Sequence, residues 1–360
     1  MAPPSTAARM REFALAFPAQ LAEGFRAARE VESRLPRTSR AATVVGMGGS
    51  AIAGDLLAGL TDLETELALT THRGPRLPGF VGTRSIVLLV SYSGNTWETL
   101  SAYEEAGRRR ALRIAVSSGG DLADRAERDG VSHLPLPGGI PPRAAIGFLL
   151  GGLLGLLDPW FPEANEARLA RVTRRLAARQ SALASSRGGP ARLARRIGGR
   201  SPYVIGASDF AAVARRWASQ FEENAKRLAQ YDTIPELLHN ALVAWDALSP
   251  EEARLRIALL LEPQLAHPGN RAATDFLLSV LRRRGVGVER VRFEADDPLE
   301  GMLSAVSFGD HTSLFLAEAG RVDPAEVQVI DRWKQSLARP GRPASARFYG
   351  ARRSETGVLR

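Results

Sequence analysis

Two continuous apolar runs, each broken by a turn of glycine and hydroxyl residues and each followed by a helical pattern, organise the first part of the chain. Ala41-Ala-Thr-Val-Val45 leads into Gly46-Met-Gly-Gly-Ser50, and Ser85-Ile-Val-Leu-Leu-Val90 leads into Ser91-Tyr-Ser-Gly-Asn-Thr96. Short apolar runs bounded by turn residues read as buried strands. Further strands are predicted near 112–116 and 131–134, and a second set near 202–205, 255–261 and 288–293. Helical patterns lie between them: a connection over 163–196 and long helices over 209–230 and 271–284. Residues 144–157 are apolar and glycine-rich but fall short of the ~18 residues of a membrane span, so they read as a buried helix. Alternating strands and helices imply parallel sheets. The expected architecture is α/β: two similar doubly wound halves with helical connections, and a ligand cleft between them.

The chemistry of the two turns narrows the ligand. A helix N-terminus presents free N–H groups and the positive end of the helix dipole, which favour an anion. Ser91, Ser93 and Thr96 add hydroxyl donors, and neither turn carries the lysine that a nucleoside-triphosphate loop places beside its serine or threonine. Gly46-Met-Gly-Gly-Ser-Ala51 also meets a relaxed dinucleotide spacing. That reading asks for an acidic residue at the end of the next strand. Here the strand ends in Thr70-Thr71-His72-Arg73, with Glu64 and Glu66 at its wrong end. A sugar phosphate fits better than ATP or a nicotinamide.

Length and composition set the frame. At 360 residues the chain is long enough for two α/β cores, because single cores stop growing near ~250 residues. The absence of cysteine rules out disulfides and thiolate metal sites, and a cytoplasmic setting is the default. The five histidines show no metal-ligand spacing, so a metal is not required. A net charge of +9 raises the question of nucleic acid, but the arginines are spread over most helices rather than gathered in one stripe. Neither nucleic acid nor membrane is an expected partner. Lys226 and Lys334 are the only lysines among 48 basic residues, which marks them as positions where a movable proton could be needed.

Four further positions are candidates for chemistry. Gly138-Gly-Ile-Pro-Pro-Arg143 is a stiff loop that holds Arg143 at an element boundary, where its guanidinium either stabilises developing negative charge or points into water. Trp217-Ala-Ser-Gln-Phe-Glu222-Glu223-Asn224-Ala-Lys226 falls within a predicted helix. Glu222 and Glu223 stand four and three residues before Lys226, so helix-surface ion pairs are the plain reading, and the favoured one for Glu222. Adjacent residues point about 100° apart. With Phe221 and Ala225 on the buried side, Glu223 can line a pocket and serve as a partly desolvated general base. His239, in a predicted helix opening near Thr233, is either a proton carrier or a core histidine among leucines. A last helix is predicted to open at Asp323-Pro-Ala-Glu326 with a capping box. Val327, Ile330, Lys334 and Leu337 follow at helical spacing, which puts Lys334 on an apolar stripe, buried or snorkelling.

Taken together, Gly46-Met-Gly-Gly-Ser50, Ser91-Tyr-Ser-Gly-Asn-Thr96, Pro141-Pro-Arg143, Phe221-Glu-Glu-Asn-Ala-Lys226, Pro235-Glu-Leu-Leu-His-Asn240 and Lys334 resemble the bifunctional phosphoglucose/phosphomannose isomerases, of the sugar isomerase (SIS) superfamily. The resemblance runs in order from about residue 40 to 337. It implies two SIS subdomains, over residues 1–160 and 161–338, and a basic tail over 339–360 without fixed structure. It also implies that Gly49, Ser50, Ser91, Ser93 and Thr96 bind the 6-phosphate of a sugar 6-phosphate and that Arg143 stabilises an enediolate. Glu223 would move a proton between C2 and C1, while His239 and Lys334 assist ring opening, with His239 supplied by the neighbouring subunit of a homodimer with shared active sites. The implied activity is interconversion of glucose 6-phosphate or mannose 6-phosphate with fructose 6-phosphate, without metal or cofactor. Two alternatives stay open: a non-catalytic sugar-phosphate-binding regulator, and an isomerase or deglycase of a modified sugar phosphate.

Overall fold

The structure is a computed structural model that describes residues 5–32, 35–161, 165–207, 210–264 and 267–337. The tail over 339–360 lies outside the described residues. Two helices, α1 (Thr6–Leu15) and α2 (Phe17–Glu30), precede the first sheet. The chain then runs through β1 (Ala41–Val45), α3 (Gly48–Glu64), β2 (Ala68–His72), β3 (Ile86–Val90), α4 (Trp97–Arg108), β4 (Leu112–Ser117), α5 (Gly120–Arg128) and β5 (Ser132–Pro135). A short 3-10 turn at Pro142–Ala144 opens α6 (Ile146–Leu157), and α7 (Asn165–Ala184) and α8 (Gly189–Ile197) make the connection. The second half contains β6 (Ser201–Ala207), α9 (Ala211–Ala225), β7 (Gln230–Ile234), α10 (Ala241–Asp246), α11 (Pro250–Arg254), β8 (Arg256–Pro263), α12 (Pro268–Arg283), β9 (Gly287–Phe293), α13 (Pro298–Gly320) and α14 (Gln328–Leu337).

Both sheets are parallel. The first has strand order β2-β1-β3-β4-β5 and the second β7-β6-β8-β9. The chain leaves β1 toward β2 on one side and comes back to β3 on the other, so the crevice beyond the carboxyl ends of β1 and β3 is a topological switch point, the usual ligand position in such sheets. Val45 is level with Leu89 across the pair, so both glycine-and-serine turns emerge there together. One continuous cluster of buried side chains, including Leu57, Leu88, Leu149, Trp217, Leu259 and Leu303, spans both sheets.

Several expected boundaries move. The helix predicted over 209–230 ends at Ala225, and Lys226 follows in the left-handed conformation (φ 54°). Residues 230–234 are not the end of that helix but the edge strand β7. A cis Ile234–Pro235 bond follows, and His239 closes a 3-10 turn instead of lying in a helix that opens near Thr233. No described helix is long and apolar enough to cross a membrane.

Helix α6 bears out the reading of a buried apolar helix, since all twelve of its residues are buried. Its glycines explain how it packs. Gly147, Gly151 and Gly155 recur every four residues and so form one stripe, which lies against α2. A Cβ at Gly151 would stand 2.2 Å from the Leu21 carbonyl oxygen, and one at Gly155 2.7 Å from the Ala28 Cβ. The reciprocal contact is equally close: a Cβ on Gly24 of α2 would stand 2.4 Å from the Phe148 carbonyl oxygen. The two backbones touch, and this fixes α6 and hence the Pro142–Ala144 turn at its start.

Helix α13 is held from two sides. Trp217 of α9 stacks on Phe308 with centroids 5.8 Å apart, and its indole N–H donates to the Ala305 carbonyl oxygen at 2.9 Å. On the other side, His311 Nε2 stands 3.0 Å from Gln180 Oε1 of α7. Burial, with the Arg11 charge as a lesser cause, lowers the His311 imidazole from 6.5 to about 4.

Two outcomes are expected. Gly151→Ala should lower stability by about 1–3 kcal/mol through overpacking, despite alanine's better helix propensity, and urea unfolding would measure the loss. Because His311 takes up its proton far more readily in the unfolded chain, stability is complete above about pH 6.5 and falls as pH drops toward 4, by roughly 3 kcal/mol from this residue. His311→Gln should flatten that part of the pH–stability curve; the same slope in variant and parent would contradict it.

Candidate functional site

The two turns at the switch point are built differently. The first forms the N-terminus of α3, where Met47 is extended and Gly48 turns left-handed at φ 51°. Ser50 is buried, and its Oγ accepts from the Tyr92 N–H at 3.4 Å, which ties the first turn to the second. In the second turn Ser91 Oγ donates to Thr96 Oγ1 at 2.8 Å and accepts from the Thr96 N–H at 3.3 Å. The Thr96 hydroxyl proton is therefore left for another acceptor. Ser93 is exposed, with its Oγ accepting from the Asn95 N–H at 3.3 Å. Gly94 is required here: it has φ 71°, and a Cβ would stand 1.7 Å from the Gly119 carbonyl oxygen.

The stiff proline loop abuts the first turn. A Cβ on Gly49 would come within 3.1 Å of the Pro142 carbonyl oxygen and 3.4 Å of the Arg143 Cα, so a larger residue there would push the loop away. Arg143 does not point into water. It is only 4% exposed, and each guanidinium nitrogen has an acceptor. Nε donates to Asn224 Oδ1 at 2.7 Å, Nη1 to Glu223 Oε2 at 3.3 Å, and Nη2 to the Pro324 carbonyl oxygen. Burial lowers the Arg143 pKa, opposed by the Glu223 charge. The Glu223 side chain stays 29% exposed, so it pairs with a buried cation on one side and meets solvent on the other. The Glu223 contact is also the longest of the three, which leaves Glu223 the least firmly held partner.

Lys226 does not pair with either glutamate through its ammonium. Its Nζ donates to two backbone carbonyl oxygens, those of Glu223 and Asp323, each at 2.7 Å. A left-handed residue just past a helix end turns its side chain back over the last carbonyls, so the helix-surface pairs expected for Lys226 do not form. The segment it grips is not a helix start either. Asp323 Oδ1 accepts from the Ala325 N–H at 2.8 Å within a turn, and α14 begins only at Gln328. Asp323 Oδ2 also accepts from Thr6 Oγ1 at 2.7 Å. Residues 323–325 are thereby bound to α1, to the end of α9 and to Arg143.

A row of buried polar side chains that the sequence reading missed supports the pair. Arg216, Gln220 and Asn224 recur every four residues on one face of α9 and are all buried. Arg216 Nη2 donates to Asp310 Oδ2 at 2.7 Å and to the Arg143 carbonyl oxygen at 3.0 Å, while Gln220 Nε2 donates to Asp310 Oδ1 at 2.9 Å. Asn224 Nδ2 donates to Ser313 Oγ at 2.9 Å. The signal was present as polar residues at helical spacing on a face that carries Trp217 and Phe221 beside them.

Two predicted site residues lie apart from this cluster. His239 is exposed rather than packed among leucines. Lys334 is exposed as well, not buried, and Ile330 of the expected stripe, one turn before it on α14, is 36% exposed. Among the described residues there is no group of three or more His, Asp or Glu side chains able to hold a metal ion.

The model of the bacterial phospho-glucose isomerase C-terminal SIS domain family matches residues 189–337. The chain is 32% identical over 303 residues to a bifunctional phosphoglucose/phosphomannose isomerase of Caldicellulosiruptor bescii, covering 82% of this chain and 88% of that protein. It is 32% identical over 293 residues to the protein of the same name in Aquifex aeolicus, covering 81% and 88%. Among solved structures, tagatose-6-phosphate ketose/aldose isomerase from Escherichia coli superposes with a TM-score of 0.65 at 16% identity, over 91% of this chain and 98% of that one. That likeness shows the fold: two parallel sheets with helices.

Proposed function

Since the chain belongs to the bifunctional phosphoglucose/phosphomannose isomerase family, we propose that it interconverts glucose 6-phosphate and mannose 6-phosphate with fructose 6-phosphate through a cis-enediolate. The observation that carries this reading is the meeting of the Glu223 carboxylate with the buried Arg143 guanidinium, on a loop packed against Gly49 of the first turn.

In this reading the two halves act as subdomains, residues 1–160 supplying the anchor and residues 161–338 the base. Gly49, Ser50, Ser91, Ser93 and Thr96, with the N-termini of α3 and α4, hold the 6-phosphate. Glu223 takes the proton from C2 of the open-chain aldose. The electron pair left behind forms the C1–C2 double bond, and the charge passes to O1, facing Arg143. Glu223 then gives its proton to C1 while the hydroxyl proton passes from O2 to O1, which leaves a ketone at C2. A C2 proton is a weak acid, so the step requires a positioned base and a fixed cation. Because the enediolate is planar at C2, one carboxylate serves both epimers. His239 and Lys334 open the sugar ring, and their exposure supports a site completed by a second copy of the chain, in a homodimer whose sites are shared.

Two measurements test this. Glu223→Gln should reduce fructose 6-phosphate formation from either aldose by at least about a thousandfold while sugar-phosphate binding is kept; turnover near that of the parent would remove Glu223 as the base. If each site takes Glu223 from one subunit and His239 from the other, mixing the inactive Glu223→Gln and His239→Asn chains and letting subunits exchange should restore about a quarter of parent activity. No recovery in demonstrably mixed dimers would place both residues in one subunit's site.

A further inference from the structure

Two of the three acceptors that grip Arg143, the Asn224 amide and the Pro324 carbonyl, do not react, and the chain of bonds behind the first has a direction. Ser313 Oγ donates its proton to the Asp310 carbonyl oxygen at 2.6 Å. Having given away its only proton, it can only accept from the Asn224 amide, which lies 2.9 Å away through Nδ2. That commits the NH2 end of the amide to α13 and leaves Oδ1 facing Arg143 Nε at 2.7 Å. If the amide were reversed, an NH2 group would face a guanidinium N–H, donor against donor, and a carbonyl would face a hydroxyl with no proton left to give. Asn224 and Ser313 are 1% and 0% exposed, so water does not relieve either mismatch.

We propose that Ser313 and Asn224 are positioning residues for the isomerisation: a relay from α13 that sets the direction of the Asn224 amide and, through it, the plane of the Arg143 guanidinium that faces the enediolate. The inference rests on the reading of Arg143 and Glu223 given above. Neither relay residue touches the substrate. Ser313→Ala removes the acceptor at the far end of the relay, so Asn224 loses its reason to present Oδ1. Asn224→Ala removes the contact to Arg143 itself. In both cases the turns are left intact, because Ser91 and Thr96 bond to each other and Ser50 to the Tyr92 N–H, not to α13.

The test uses the full chain and three readouts. Ser313→Ala and Asn224→Ala should each lower kcat at least about tenfold with KM for glucose 6-phosphate changed by less than about twofold, the pattern of an interaction made only in the transition state. Affinity for 5-phosphoarabinonate, whose carboxylate mimics the charged enediolate, should fall in parallel with kcat. Affinity for glucitol 6-phosphate, which is neutral at C1 and C2, should hold. Parent-like kcat in a folded Ser313→Ala chain would overturn the relay, and so would equal weakening of both ligands, which is the mark of a general loosening of the fold. Should Asn224→Ala fail to fold, Ser313→Ala decides alone. Lack of isomerase activity in the parent chain would instead overturn the functional reading.

Discussion

A guanidinium placed where water cannot reach it is the constraint around which this molecule is arranged. An ionised group taken out of water is stable only when its donors are met by well-placed acceptors, and Arg143 meets this through two segments far from it in sequence, the end of α9 and residues 323–325. Arginine suits the task because its donors form a planar fork; a lysine has one nitrogen and could not serve Asn224, Glu223 and Pro324 together. The need for acceptors works in both directions. It holds Arg143 still, and it holds the end of α9 and the segment 323–325 against the proline loop.

The rest of the fold delivers those segments. Backbone contact between α2 and α6 fixes the start of α6, directly after Arg143. The Trp217–Phe308 stack and the indole bond to Ala305 set α9 against α13, so that Arg216, Gln220 and Asn224 meet Asp310 and Ser313 in register. Parallel strand order places the two phosphate-type turns at one switch point, and the closeness of Gly49 to Pro142 joins that crevice to the guanidinium.

How much of this could be read from the sequence depends on where a residue's partners lie. Strands β1, β3 and β8 are buried on both faces and read plainly as apolar runs. The edge strand β7, Gln230-Tyr-Asp-Thr-Ile234, is largely solvent-facing, so its composition hides it. Asp323-Pro-Ala-Glu326 looked like a helix start because a side chain capping a tight turn uses the same residues as one capping a helix; Asp323 does cap, but it caps a turn. The periodicity of α14 was read correctly and its surroundings were not. An apolar stripe says that a face seeks cover, not what covers it, and within one chain Ile330 of that stripe remains exposed. The Arg143–Asn224 bond spans 81 positions, and no local pattern announces a partner at that distance.

The charges around the guanidinium explain why the group that fixes it is an amide. Arg216 and Asp310 form their own buried pair, with Arg216 countering the rise that burial gives the Asp310 carboxyl. Arg143 thus has one carboxylate bonded to it, Glu223, at 3.3 Å and partly in solvent, with the Asp323 charge as a lesser influence. A carboxylate in place of Asn224 would hold the guanidinium at least as firmly, but it would also cancel much of the positive field that the proposed enediolate would need. Neutral acceptors, the Asn224 amide and the Pro324 carbonyl, orient the cation and leave its charge available. In the proposed reaction, the carboxylate charge bonded to Arg143 would be neutralised at Glu223 as the new oxyanion forms. On that reading the number of negative charges beside the buried cation would be the same before and after proton transfer, and the network behind it would not need to reorganise.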